Sequence, residues 1–208
     1  MTTIFPHRLI AALLLTAVVL TSFAATGKLR FSAIEKESLS EAQRASPAIA
    51  RTLDAGRWNP NGYDALLLRN PGLMEAQLAV AREVMLGTED DPVTLSKDLI
   101  ELAIMLVAAE WQNDVLLTGH RRSAVSAGLS TQTLEALMSG DKPVDLSPEQ
   151  LAVYNFGHML LVKHQVDDGT FNRLHEYLDE RQIVDLISIM GMYTNSVMLM
   201  NVAGITSH

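Results

Sequence analysis

Cysteine occurs nowhere in the 208 positions of this chain. Its absence removes disulfides, thiolate metal sites and thiol-based peroxidatic or CxxC redox steps, all of which need a cysteine sulfur. Basic residues are also scarce. Sixteen Lys and Arg face 24 Asp and Glu, a formal net charge of −8, with no Lys/Arg-rich run. A nucleic-acid partner needs a basic face for its phosphates, so none is expected. Aromatics make up only 5% of the chain, and no stretch alternates β-branched with polar residues, which leaves no candidate strand. No HExxH or other close metal-ligand spacing occurs, so no metal is expected. Internal repeats are absent as well.

What is present is apolar and suited to helices. Hydrophobic residues form 48% of the chain, chiefly Leu, Ala, Val, Ile and Met, which favour helix over sheet. At the N-terminus, His7 and Arg8 precede an apolar run from Leu9 to Leu20, then Thr21, Ser22, Phe23, Ala24 and Ala25. A basic head, an apolar stretch and small residues at 22 and 24 read as a secretory signal cleaved after Ala24. An uncleaved membrane tether through residues 9–25 is the alternative, with Lys28 and Arg30 beyond it. Either way the domain is expected outside the cytoplasm: secreted or periplasmic, or membrane-anchored with the domain outside. The expected organisation is thus residues 1–25 as signal or anchor, 26–50 as linker and 51–208 as one domain.

Local punctuation marks the helices. A short helix is expected at 41–44, and Gly56 to Gly62 reads as a turn-rich link. Tyr63–Arg69 is stopped by Asn70-Pro71-Gly72, and an amphipathic helix spans 73–86 before Gly87. Further helices are expected at 95–109, at 113–127 with Asn113 as N-cap, and from Ser130 or Thr131 to Gly140. Ser147-Pro148-Glu149-Gln150 combines a cap, Pro at the first helical position and a capping-box Gln, opening a helix to about Lys163. Helices at 168–178 and 180–203 complete an all-α domain. The last is mainly apolar, but Asp185, Ser188, Thr194, Asn195, Ser196 and Asn201 interrupt it, so it reads as a core or subunit-contact helix.

Two residues stand out for position. Glu101 is followed by eight apolar residues, Leu102 to Ala109, and only Lys97 and Asp98 one turn earlier are polar. Burying a lone carboxylate is costly, so Glu101 needs a partner. Lys97 is one candidate. His120 on the next helix is the other, if the two helices form an antiparallel hairpin. A carboxylate–imidazole pair suits proton transfer near neutral pH. Around it, Glu110, Trp111, Asn113 and Leu116 are the candidate pocket residues. Glu110 reads as a solvated helix end or a second acid near the pocket, and Trp111 as a packing anchor or, alternatively, a substrate platform. His158 is expected on a partly buried face, with His164 and His175 at the surface.

The block Asp98-Leu-Ile-Glu101-Leu-Ala-Ile-Met-Leu-Val-Ala-Ala-Glu110-Trp111-Gln-Asn113-Asp, with His120 and Ala127-Gly-Leu-Ser130, resembles the central motif of the carboxymuconolactone decarboxylase family. That family overlaps the alkyl hydroperoxidase D-like (AhpD-like) fold. Gly191-Met-Tyr193 and Met198-Leu199-Met-Asn201-Val-Ala-Gly204-Ile205 resemble the family's closing helix. The resemblance covers about Arg51 to Ile205 and implies an AhpD-like helical bundle assembled as a homotrimer or hexamer. The peroxidase branch has a Glu, a CxxC and a His, at positions that here are Glu101, Asn113 to Leu116, and His120. The resemblance therefore implies the proton-relay pair without the redox thiols, and no peroxidase activity is inherited. Many cysteine-free relatives carry Tyr-Glu-Trp just before the His, where this chain has Val115, Leu116 and Leu117.

The leading expectation is a cofactor-free acid–base enzyme acting on a small carboxylated lactone or organic acid. His120 would exchange the proton at the reacting carbon, and Glu101 would set its tautomer or relay the proton. A non-catalytic oligomeric binding protein with an apolar pocket, to which Leu116 and Leu117 point, is the alternative. A membrane-tethered partner protein is a third reading.

Overall fold

The computed structural model describes residues 29–87 and 90–205. The export or anchor segment expected at residues 1–25 lies outside the described residues. A 3-10 turn at Lys36–Ser38 leads into α1 (Glu41–Ala45), α2 (Pro47–Asp54), α3 (Tyr63–Leu67) and α4 (Pro71–Ala81). A π-helical turn follows at Arg82–Leu86, then α5 (Lys97–Glu110), α6 (Asp114–Ala127) and α7 (Thr131–Ser139). The chain continues as α8 (Pro148–Lys163), α9 (Asp168–His175) and α10 (Glu180–Ala203). Among the described residues there is no strand.

Helix ends follow local chemistry. Ser147 and Gln150 form a reciprocal capping box at the start of α8, and Asp179 and Gln182 form another at α10. Each supplies side-chain partners to backbone donors that the first helical turn would leave unpaired. Gly128, with φ 108°, closes α6 in the left-handed region open to glycine. The helix expected over 73–86 is two pieces: α4 gives way to the π turn, whose wider spiral ends at Gly87.

α5 is the hub. Every residue from 102 to 108 is buried, and α6, α7, α8 and α10 all pack on it. A helix apolar on all sides is stable only when surrounded, and each fully buried Leu or Ile there contributes about 1.5–3 kcal/mol. α8 approaches especially closely at Gly157, where a Cβ would stand 2.7 Å from Leu106 Cδ2 and 3.0 Å from Met190 Cε. By length and composition α10 could cross a membrane. In the fold, one side of it buries Ile183, Leu186, Ile189, Met190, Val197, Met200 and Ala203 in the bundle. Its other side exposes Val184, Ile187, Met198 and Val202.

The stretch expected as a linker, residues 26–50, is instead packed from residue 29 onward. Leu39 and Ile49 are buried in a second small core with Leu67, Leu68 and Met74. The Trp58 indole N–H donates to Ile34 O at 3.1 Å, and Arg30 N–H donates to Ala203 O at 2.9 Å. Its polar, alanine-rich composition conceals the few apolar residues that anchor it.

Candidate acid–base site

α5 and α6 form the antiparallel hairpin, turning at Trp111 and Gln112. Asn113 starts α6: its side-chain oxygen accepts from Leu116 N–H at 2.9 Å, and its amide donates to Asn201 Oδ1 at 2.7 Å. The pivot sets the register of the two helices and brings Glu101 and His120 together. Their Oε2 and Nδ1 atoms are 2.9 Å apart. Both side chains are largely covered, at 24% exposure for His120 and 14% for Glu101. Lys97, the other candidate partner, makes no ion pair among the described residues.

An ionised carboxylate can only accept, so Nδ1–H is the donor, and in a neutral ring Nε2 carries the lone pair. Among the described residues Nε2 makes no hydrogen bond. No buried, unpartnered side-chain nitrogen or oxygen occurs there either, so solvent reaches Nε2. The pair thus links a half-buried carboxylate to an accessible nitrogen.

Tyr193 on α10 completes the setting. Its ring meets His120 edge-on, with centroids 5.3 Å apart and planes at 90°. Burial raises its phenol well above the ordinary value, with the Glu101 charge and Tyr63 adding to the effect. Tyr193 is therefore a neutral hydroxyl at physiological pH, a donor rather than a base. Tyr63 behaves similarly, raised first by burial. Its hydroxyl donates to Gln77 Oε1 at 2.8 Å and lies 2.7 Å from Ser196 Oγ. Neither tyrosine was a candidate from sequence. Tyr193 stands in the segment resembling the closing helix, but only chain folding sets its ring against the imidazole.

Beside Glu101 opens a cleft of about 440 Å³, lined in part by Met85, Leu86, Lys97, Ile100 and Arg122. Its described lining includes Glu101 but not His120. Glu110, Trp111, Asn113 and Leu116, the expected pocket residues, do not line it either. Leu116 is core, at 8% exposure, and Asn113 is a buried cap. Trp111 lies at the hairpin turn, 37% exposed. Glu110 has its own partner, accepting from His158 Nδ1 at 2.5 Å. His158 stacks on Tyr154 and is 47% exposed, more open than expected. Among the described residues no group of three or more His, Asp or Glu is placed to hold a metal.

No protein-family model and no curated protein matches the chain. Among solved structures, it is similar to an uncharacterized peroxidase-related protein from Ralstonia eutropha, described as an alkylhydroperoxidase AhpD core. The TM-score is 0.71 at 19% sequence identity, covering 86% of this chain and 92% of the other. The chain therefore has the all-helical AhpD-like fold.

Proposed function

We propose that this protein is a cofactor-independent enzyme performing acid–base chemistry on a small organic acid, with a carboxylated lactone as the model substrate. The 2.9 Å Glu101–His120 couple beside an open cleft carries this reading. Because Glu101 lines the cleft and His120 does not, the roles expected from sequence are exchanged. The carboxylate meets the reacting carbon. The imidazole orients it through Nδ1–H and connects it to solvent through Nε2. In a decarboxylation, the carbon–carboxylate bond breaks, CO₂ leaves and the electron pair stays on the substrate as an enolate. Solvent protonates His120 at Nε2, the Nδ1 proton passes through the Glu101 carboxyl to the enolate carbon, and the ring, left neutral with its proton on Nε2, regains the Nδ1–H form by proton exchange with water. Tyr193, held neutral, keeps a second ionisable charge out of the site. With no thiol in the chain, the reading includes no thiol peroxidase step.

The test is CO₂ release and solvent deuterium incorporation across a panel of carboxylated lactones and oxo acids. General acid–base groups contribute about 10²–10⁴-fold, so Glu101→Gln and His120→Ala should each lower kcat by at least about 10²-fold. Unchanged turnover in both folded variants overturns the reading. Binding without turnover by the unmodified protein would instead favour the binding-protein alternative, to which the apolar Leu116 also points. The reading includes export or tethering through residues 1–25, and a homotrimer or hexamer, the assembly being supported by the exposed apolar side of α10. Light scattering should return a mass three or six times that of the chain; a monomer at micromolar concentration contradicts it.

A further inference from the structure

We infer that the cleft beside Glu101 selects an amphipathic monocarboxylate, its charged end held by Lys97 and Arg122 and its hydrocarbon end resting on Met85 and Leu86. The inference deepens the proposed function and rests on it for which end of the ligand reacts. Lys97 is the first residue of α5, Arg122 lies on α6, and both line the cleft with Glu101. Neither makes an ion pair among the described residues. Among the described lining residues, two cations beside one carboxylate make a charge of +1 in a chain of net charge −8. One ligand carboxylate balances it. Arg122 can hold such a group through two parallel N–H bonds, and Lys97 adds a point charge.

The apolar end has its own support. The π turn brings Met85 and Leu86 to the cleft, and Leu86 is 68% exposed. A large aliphatic side chain that open, beside a largely covered carboxylate and two cations, is covered when a hydrocarbon group lies on it. π-helical turns are rare and recur at functional sites. A volume of about 440 Å³ lies within the ~300–1,000 Å³ common for small-molecule sites.

The experiment is calorimetric titration of the full chain with sodium octanoate, its uncharged counterpart 1-octanol and the tail-less sodium acetate. Octanoate should bind about tenfold or more tighter than either, a difference of about 1.4 kcal/mol. Arg122→Gln and Lys97→Gln should each weaken octanoate about fivefold or more and leave octanol unchanged. Leu86→Ser should weaken octanoate and octanol alike. Arg121→Gln, which removes the same charge outside the cleft, should change nothing. Equal binding of octanoate and octanol, no octanoate binding at millimolar concentration, or equal effects of Arg121→Gln and Arg122→Gln would each overturn the inference. Binding is read without turnover, so it stands apart from the chemistry. Loss of catalysis in Glu101→Gln with octanoate binding indifferent to Arg122 defeats only this subsite. Cation-dependent octanoate binding with turnover indifferent to Glu101 defeats only the proposed reaction.

Discussion

A carboxylate 2.9 Å from an imidazole Nδ1 admits one proton arrangement when the ring is neutral: hydrogen on Nδ1, lone pair on Nε2. Nitrogen-15 NMR of the imidazole should therefore report the Nδ1–H tautomer for His120, with Glu101→Ala releasing it. An Nε2–H ring in the unmodified protein would remove the basis for the proposed relay. Asn113 is the second decisive residue, since its side chain both caps α6 and ties it to Asn201 on α10. Losing an Asn cap costs about 0.5–2 kcal/mol, and Asn113→Ala also strands a partner amide. Chemical denaturation of Asn113→Ala should show a loss at or above the upper end of that range. A loss below ~0.5 kcal/mol would mean that the cap is idle. Glu101 and His120 were legible as a pair because one acid ahead of an apolar run must find a partner. Tyr193 was not, because its place depends on how α10 crosses the hairpin.

Among the elements, the π turn between α4 and α5 has the most consequence for the site. It ends at Gly87, whose φ of 63° and ψ of −175° belong to a region essentially confined to glycine. A Cβ there would stand 2.6 Å from Val93 N, so backbone would have to move. Gly87→Ala should destabilise the fold by about 1–3 kcal/mol from backbone strain alone and displace Leu86 from the cleft. A thermal unfolding curve superimposable on the parent would show that the loop has another conformation to use. Helix starts at Ser147 and Asn113 were readable from sequence because capping is settled within four residues. The π turn was not, since its apolar spacing is that of an ordinary helix and only the backbone bonding differs.

For the whole molecule, pH marks the limits of stability at both ends. Asp98 at the start of α5 is drawn upward by burial, but hydrogen bonds from Ser96, Gln150 and nearby backbone N–H groups outweigh this and hold it below 3.8. A carboxyl lowered on folding stabilises at neutral pH, and that contribution disappears as pH falls from 3.8 through the folded value. Tyr63, Tyr154 and Tyr193 are raised above 10.0, each chiefly by burial. Their contribution is complete below pH 10 and is lost as pH climbs through the raised values. Thermal midpoints should thus fall away on both sides of a central plateau. Asp98→Asn should flatten the acid limb and Tyr193→Phe the alkaline one. Limbs unchanged in both variants would show that other groups govern them.

Composition and local spacing alone decided that the chain is helical and that it performs no thiol chemistry, and they offered His120 and Lys97 as partners for Glu101, between which the folded hairpin chose His120. Each follows from residue types or from contacts within one helical hairpin. Tertiary structure decided which member of the pair lines the cleft, and that Asn113, Leu116 and Glu110 serve elsewhere. It also brought Lys97, Arg122, Leu86 and Tyr193 around the carboxylate and folded residues 29–50 onto the bundle. Those outcomes depend on how helices distant in sequence rotate and cross, and that is set by the joint packing of side chains rather than by any local pattern.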